Sequence, residues 1–135
     1  MPAWADAVLV PLISILLAAV LSALVILAIG ISAATALALA MTRHHEQCYG
    51  RSAAARRQPV RRRLEGWGLI LIAAGLAVFT DGWGRGLVLV AGVGGLAAPL
   101  AAGLFAWRPA WAGRVIAAGW LAVVAGLCGL VFGLA

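Results

Sequence analysis

The chain has 135 residues and a net charge of +6, with 65% of its residues apolar and 10% charged, against about 45–50% and about 25% in soluble domains. That balance, with a mean hydropathy of +1.10, excludes a soluble globular domain and any large extramembrane one, since no polar segment is long enough to build it. All ten basic residues are Arg, and seven of them (Arg43, Arg51, Arg56, Arg57, Arg61, Arg62 and Arg63) crowd one short stretch, the pattern of a cytoplasmic membrane loop and not of a nucleic-acid module.

In chain order, four apolar stretches run from about Ala7 to Met41, Leu64 to Thr80, Gly86 to Ala106 and Val115 to Ala135. A crossing helix needs about 20 apolar residues, so the last three predict one crossing each. The first is too long for one upright helix and too short for two with a turn. No Gly, Pro or Asn cluster divides it, so it predicts one long, tilted helix, with Pro11 opening or bending its start. A secretory signal peptide is the competing reading, because Ala36-Leu37-Ala38-Leu39-Ala40 has the small residues of a cleavage site. It fails on two counts: Asp6, not a basic residue, precedes the apolar run, and cleavage there would export a loop with seven arginines. The expected architecture is an all-α membrane protein, a single membrane domain over 1–135 with four transmembrane helices and an Arg-rich loop over 42–63.

The loop 42–63 holds seven Arg, the turn 107–114 holds Arg108 and Arg114, and the turn 81–85 holds Arg85 alone. The first and third connections share a side. The positive-inside rule therefore predicts that the Arg-rich loop faces the cytoplasm and both termini the periplasm. Trp4, Trp67, Trp83, Trp107 and Trp111 fall at segment ends, where an indole favours the headgroup level, and Trp120 falls inside a span. Cys48 and Cys128 lie near opposite faces on this topology and so do not pair.

Small residues recur every fourth position at Ala28, Ser32, Ala36 and Ala40, and again at Ala125, Gly129 and Gly133. Such rows predict close helix packing. Gly92-Val93-Gly94-Gly95 with Pro99 makes the third helix the one expected to kink. It is no phosphate loop, because no strand precedes it and no Lys or Ser/Thr follows.

No Asp, Glu, His, Lys or Arg lies more than one residue inside a segment end, Asp6 preceding the first segment and Glu65 standing at the edge of the second. Proton-coupled carriers keep such groups inside the bilayer, so a self-contained carrier of that kind is disfavoured. No nucleophile–base set or carboxylate pair offers hydrolysis either. The one polar constellation runs from Thr42 through Arg43, His44, His45, Glu46, Gln47, Cys48 and Tyr49 to Arg51. Adjacent histidines point about 100° apart on a helix and do not chelate one ion together. Either could be an axial ligand of haem b with its mate on another subunit, could bond a lipid phosphate, or could simply cap the helix at the interface. Arg56, Arg57, Arg61, Arg62 and Arg63, with Arg43 and Arg51, read as a topology signal and an anchor on anionic lipids, worth about 1 kcal/mol each. A partner contact is the sharper reading of the same residues.

The run Met41-Thr42-Arg43-His44-His45-Glu46-Gln47, then Tyr49-Gly50-Arg51, the Arg cluster, Gly66-Trp67, Gly82-Trp83-Gly84-Arg85-Gly86 and Trp107-Arg108-Pro109 resembles a small bacterial inner-membrane family of uncharacterised function. Its genes sit beside TonB-dependent siderophore receptors and PepSY-type membrane reductases. The resemblance covers roughly Leu21 to Pro109. That family is shorter and usually three-spanning, so the residues before Leu21 and the fourth helix after Ala112 read as additions; it carries Asp where Thr42 stands, so this chain lacks any function that rests on a carboxylate there. The resemblance implies an accessory subunit of a ferric-siderophore reductase, packed against a larger PepSY-type partner that carries haem, with His44 and His45 near that haem or merely interfacial.

Three readings follow. The first is a non-catalytic subunit of an iron-uptake reductase, partnered by the PepSY-type protein and by anionic lipids. The second is a redox subunit holding haem b through His44 or His45. The third is a small oligomeric channel or carrier for a neutral solute, built from Gly and backbone groups.

Overall fold

The computed structural model describes residues 3–41 and 58–132, with side chains over 8–41 and 59–132, and every element among them is helical. Helix α1 spans Ala3–Leu39, α2 spans Gln58–Trp107, a short 3-10 turn spans Pro109–Trp111, and α3 spans Ala112–Val131.

An unbroken apolar run in α1 leaves the backbone no partner but itself, so the helix continues through Pro11, whose missing N–H costs one bond near the start. Its 37 residues correspond to about 55 Å at 1.5 Å per residue. It ends in a tightened turn, with the Ala40 N–H donating to the Ala36 and Leu37 carbonyls and Met41 to that of Ala38.

Helix α2 departs from expectation twice. It starts at Gln58, not near Leu64, so Arg61, Arg62 and Arg63 stand on a helix and not in a loop. Arg is a good helix former, and Pro59 suits a first turn, so charge marks the membrane boundary here without marking the helix boundary. Its backbone also keeps helical dihedrals through Gly92–Gly95 and Pro99, and the one non-helical residue is Gly82, with φ 78 and ψ 170. That combination is open essentially to glycine alone. It divides α2 into arms 58–81 and 83–107, which lie against each other: a Cβ on Gly86 would press on the Ala77 carbonyl and Val78 Cα, and Val90 and Val93 pack on the cluster containing Ala73 and Ala77. Among the described residues three helices are long and apolar enough to cross a membrane, where the sequence predicts four. The second and third expected segments fall on the two arms of α2.

Helix α1 is the hub. It packs against both α2 and α3, which touch each other little. One core cluster joins Ile26, Ile29 and Ala33 of α1 to Leu69, Ala73, Leu76 and Ala77 of α2 and Val123 of α3. A second joins Ala36 and Leu39 to Ala112 and Ile116, with Phe105 against them. Outside, the bundle is as apolar as within: Leu71, Phe79, Val88, Leu121 and Val131 are each more than 70% exposed. A soluble protein does not tolerate that surface, and a lipid-facing one requires it. By the length and composition of its helices the chain is a multi-pass membrane protein.

Candidate functional site

The contacts sort the charges onto two ends. Gly66 lies against Leu37 and Leu39 packs near Ala112 and Phe105, so the first turns of α2 and the 107–114 connection share one end. Arg61, Arg62, Arg63, Arg108 and Arg114 stand there. At the other end the arms of α2 reverse, with Asp81 and Arg85 beside Gly82. Among the described residues, five arginines therefore oppose one, the same sense as the sequence tally.

Glu65, to which the sequence reading gives no role, organises the first end. It accepts from Arg61 Nε at 2.9 Å and from Arg62 Nη1 at 2.8 Å, the two donors sitting four and three residues before it on one helix face. Its side chain is 15% exposed and that of Arg62 22%, against 81% for Arg61. Two of the cluster's cations are thus held by one carboxylate, while Arg63 is exposed and makes no ion pair with a described residue. The i, i+3 and i, i+4 spacing was the available signal. The same end carries an aromatic platform: the Arg108 and Arg114 guanidinium carbons each lie 5.6 Å from the centroid of the Trp111 ring.

Among the described residues the fully buried polar side chains are hydroxyls, Ser32 and Thr35. The Ser32 hydroxyl lies 2.8 Å from the Ala28 carbonyl and 2.7 Å from that of Val115, and Thr35 donates to Ile31 at 2.7 Å. At the far end the Thr80 hydroxyl lies 3.0 Å from the Leu76 carbonyl and 2.9 Å from Asp81 Oδ2. Among the described residues no three His, Cys, Asp or Glu side chains converge as metal ligands would.

The packing rows divide. In α1, Ser32, Ala36 and Ala40 of the four-residue row are buried, while Ala28 is half-buried. In α3 the chain's own close approach runs through Ala112, Ile116, Gly119 and Val123, with Gly126 against Val25 and Leu76. Ala125 is exposed, and a Cβ on Gly129 would meet nothing within 4 Å. Both border an apolar groove lined also by Ala18, Ser22, Leu76 and Thr80. Cys128 is a free, exposed thiol on the same wall. Arg43, His44, His45, Cys48, Arg51, Arg56, Arg57 and Gly133 lie outside the described residues.

Residues 24–127 match the model of a family described as protein of unknown function, DUF3325. No curated protein and no solved structure matches the chain. The matched stretch runs past Pro109 and through most of α3, so that helix lies within the family's extent and is not the addition that the resemblance suggested.

Proposed function

We propose, from the premise that the chain belongs to the DUF3325 family, that it is an accessory integral-membrane subunit of a ferric-siderophore reductase or iron-uptake complex in the bacterial inner membrane, packed against a larger haem-bearing PepSY-type partner. The iron-uptake part of this reading comes from the resemblance carried by Met41 to Arg51 and the Gly-Trp steps. The subunit part is supported by one observation above others. Every described side chain from Val8 to Leu21 is exposed, a length of apolar helix of which Ala18 and Leu21, near its end, border the groove shared with α2 and α3. A helix that is apolar all round belongs against lipid or other helices.

In the same reading, the arms of α2 are two crossings joined at Gly82, making four with α1 and α3. The break supports this, since a crossing needs about 20 residues and each arm exceeds that. The arginine-rich end faces the cytoplasm and both termini face the periplasm, supported by the five-to-one distribution of described arginines. The chain is non-catalytic, and its work is to hold a helix surface against its partner.

The test is purification of the tagged full chain in mild detergent from iron-starved cells of its host, with mass spectrometry of what stays bound. Near-stoichiometric recovery of a PepSY-type membrane protein is the expected result. Recovery of the chain alone, or only as a homo-oligomer, overturns the subunit reading. A reduced-minus-oxidised spectrum of the recovered complex, compared between wild type, His44→Ala and His45→Ala, then decides whether either histidine ligates haem.

A further inference from the structure

We propose that Arg108, Trp111 and Arg114 form a binding site for the phosphate group of an anionic phospholipid. The site is distinct from the loop arginines and independent of the iron-uptake reading. It needs only that the helix ends lie at a membrane surface.

Two cations share one ring. Each guanidinium carbon is 5.6 Å from the Trp111 centroid, within the range of a cation–π contact, so the two charges are held no more than twice that distance apart. Nothing among the described residues neutralises them. Glu65 is taken by Arg61 and Arg62, Asp81 sits at the opposite end beside Thr80, and neither Arg108 nor Arg114 makes an ion pair with a described residue. Indole faces orient guanidinium groups but cancel none of their charge. The planar donor forks stay available, and a phosphate accepts from such forks in pairs.

The platform is fixed before any ligand arrives. The Arg108 N–H donates to the Leu104 carbonyl at 2.8 Å, Trp111 donates to Arg108 at 3.0 Å, and Ala112 donates to Pro109. Ala112 itself is 1% exposed, seated in the cluster with Ala36 and Leu39. Three consecutive anchor points fix the backbone that carries the ring, while the indole itself is 45% exposed. Neighbouring Trp107 is 90% exposed at the end of α2, where an indole marks the headgroup level.

A lipid, and not a free phosphate, is favoured by what lies beside the platform. An apolar groove lined by Leu37, Met41, Ala101, Ala102, Phe105 and Ala106 opens between α1 and the second arm of α2. Its last residue is two positions before Arg108. An acyl chain tethered to a phosphate at this turn has an apolar path to follow, whereas inorganic phosphate gains nothing from it.

The experiment is native mass spectrometry of the full chain in mild detergent, titrated with phosphatidylglycerol, with phosphatidylcholine and inorganic phosphate as comparison arms. Each arginine at an anionic surface is worth about fivefold, so Arg108→Gln with Arg114→Gln is expected to weaken phosphatidylglycerol binding about thirtyfold. Trp111→Leu, which keeps both charges and removes the ring, is expected to weaken it about twofold to fivefold. Arg85→Gln, at the far end, is expected to leave it unchanged. Should the double glutamine variant not fold, Arg108→Lys with Arg114→Lys keeps the charge and loses the forks, and a severalfold drop is the expected result. Binding within twofold of wild type in whichever of the double Arg108 and Arg114 variants folds overturns the site. Displacement of phosphatidylglycerol by millimolar inorganic phosphate overturns the lipid assignment.

Discussion

The Ser32 hydroxyl lies 2.7 Å from the Val115 carbonyl oxygen, joining α1 to the first turn of α3. One turn further along α3, Gly119 turns its bare Cα to the same serine, and a Cβ there would collide with Ser32 Cβ and Oγ. A hydroxyl that can donate either to Ala28 or across to Val115 is never left unsatisfied in lipid, and the missing methyl on Gly119 is what lets the helices come close enough.

Gly119→Ala is therefore expected to cost about 1–3 kcal/mol, because the obstacle is the serine's Cβ and not the far end of a flexible chain. Ser32→Ala removes only the bridging bond and is expected to cost about 0.6 kcal/mol. The exchanged pair Ser32→Gly with Gly119→Ala moves the bulk across the contact and is expected to recover most of the loss. Equilibrium unfolding in mixed micelles measures all three. A Gly119→Ala variant as stable as wild type refutes the close approach.

Gly82→Ala places a Cβ on a backbone at φ 78 and ψ 170, at an expected cost of about 1–3 kcal/mol. Two residues on, Gly84 has open space around it, and alanine there is expected to be neutral or to stabilise by up to about 1 kcal/mol through helix propensity. Thermal unfolding of the two variants side by side tests whether the reversal at Gly82 is fixed by backbone conformation.

Glu65→Gln frees Arg61 and Arg62. The pair is partly exposed, so the expected loss of stability is at most about 1 kcal/mol. Orientation is expected to hold even when Arg61, Arg62 and Arg63 are all replaced by Ala, because four loop arginines remain. Single-cysteine labelling from each side, at position 85 and at position 108 in otherwise Cys-free chains, measures this. Labelling of both positions from the same side refutes the four-crossing arrangement.

Ala125→Leu with Gly129→Leu separates internal packing from assembly. Neither position is covered within the chain, so its unfolding is expected not to be destabilised, and to gain up to about 1 kcal/mol from replacing a helical glycine. Recovery of the partner is expected to fall. Unchanged recovery removes this face from the assembly surface.

The sequence made the helices legible and their contacts much less so. The unbroken apolar run of α1 and the turn chemistry of Asp81-Gly82-Trp83-Gly84 could each be read directly, because lipid forces backbone pairing and only a residue like Gly82 can leave it. Charge hides the start of α2, because an arginine run at a membrane boundary looks like loop even where Arg61, Arg62 and Glu65 stabilise one another on a helix. Gly92 to Gly95 suggested a kink that the backbone does not take, since glycine permits bending without requiring it. The choice of Gly119 over Gly129 as the contact depends on how α3 is rotated about its axis. Seventeen glycines look alike until that rotation is known.

Because α2 and α3 meet α1 far more than each other, the helix that precedes them in the chain is also the template on which they are laid. Assembly can thus follow the order of translation, with no wait for a distant segment. It also makes α3 a detachable piece, held by Ser32, Ala36 and Leu39 and tied to α2 by a connection of four residues, Arg108 to Trp111. A chain cut at that connection and expressed as two polypeptides should reassemble in the membrane, with α1 as the guide.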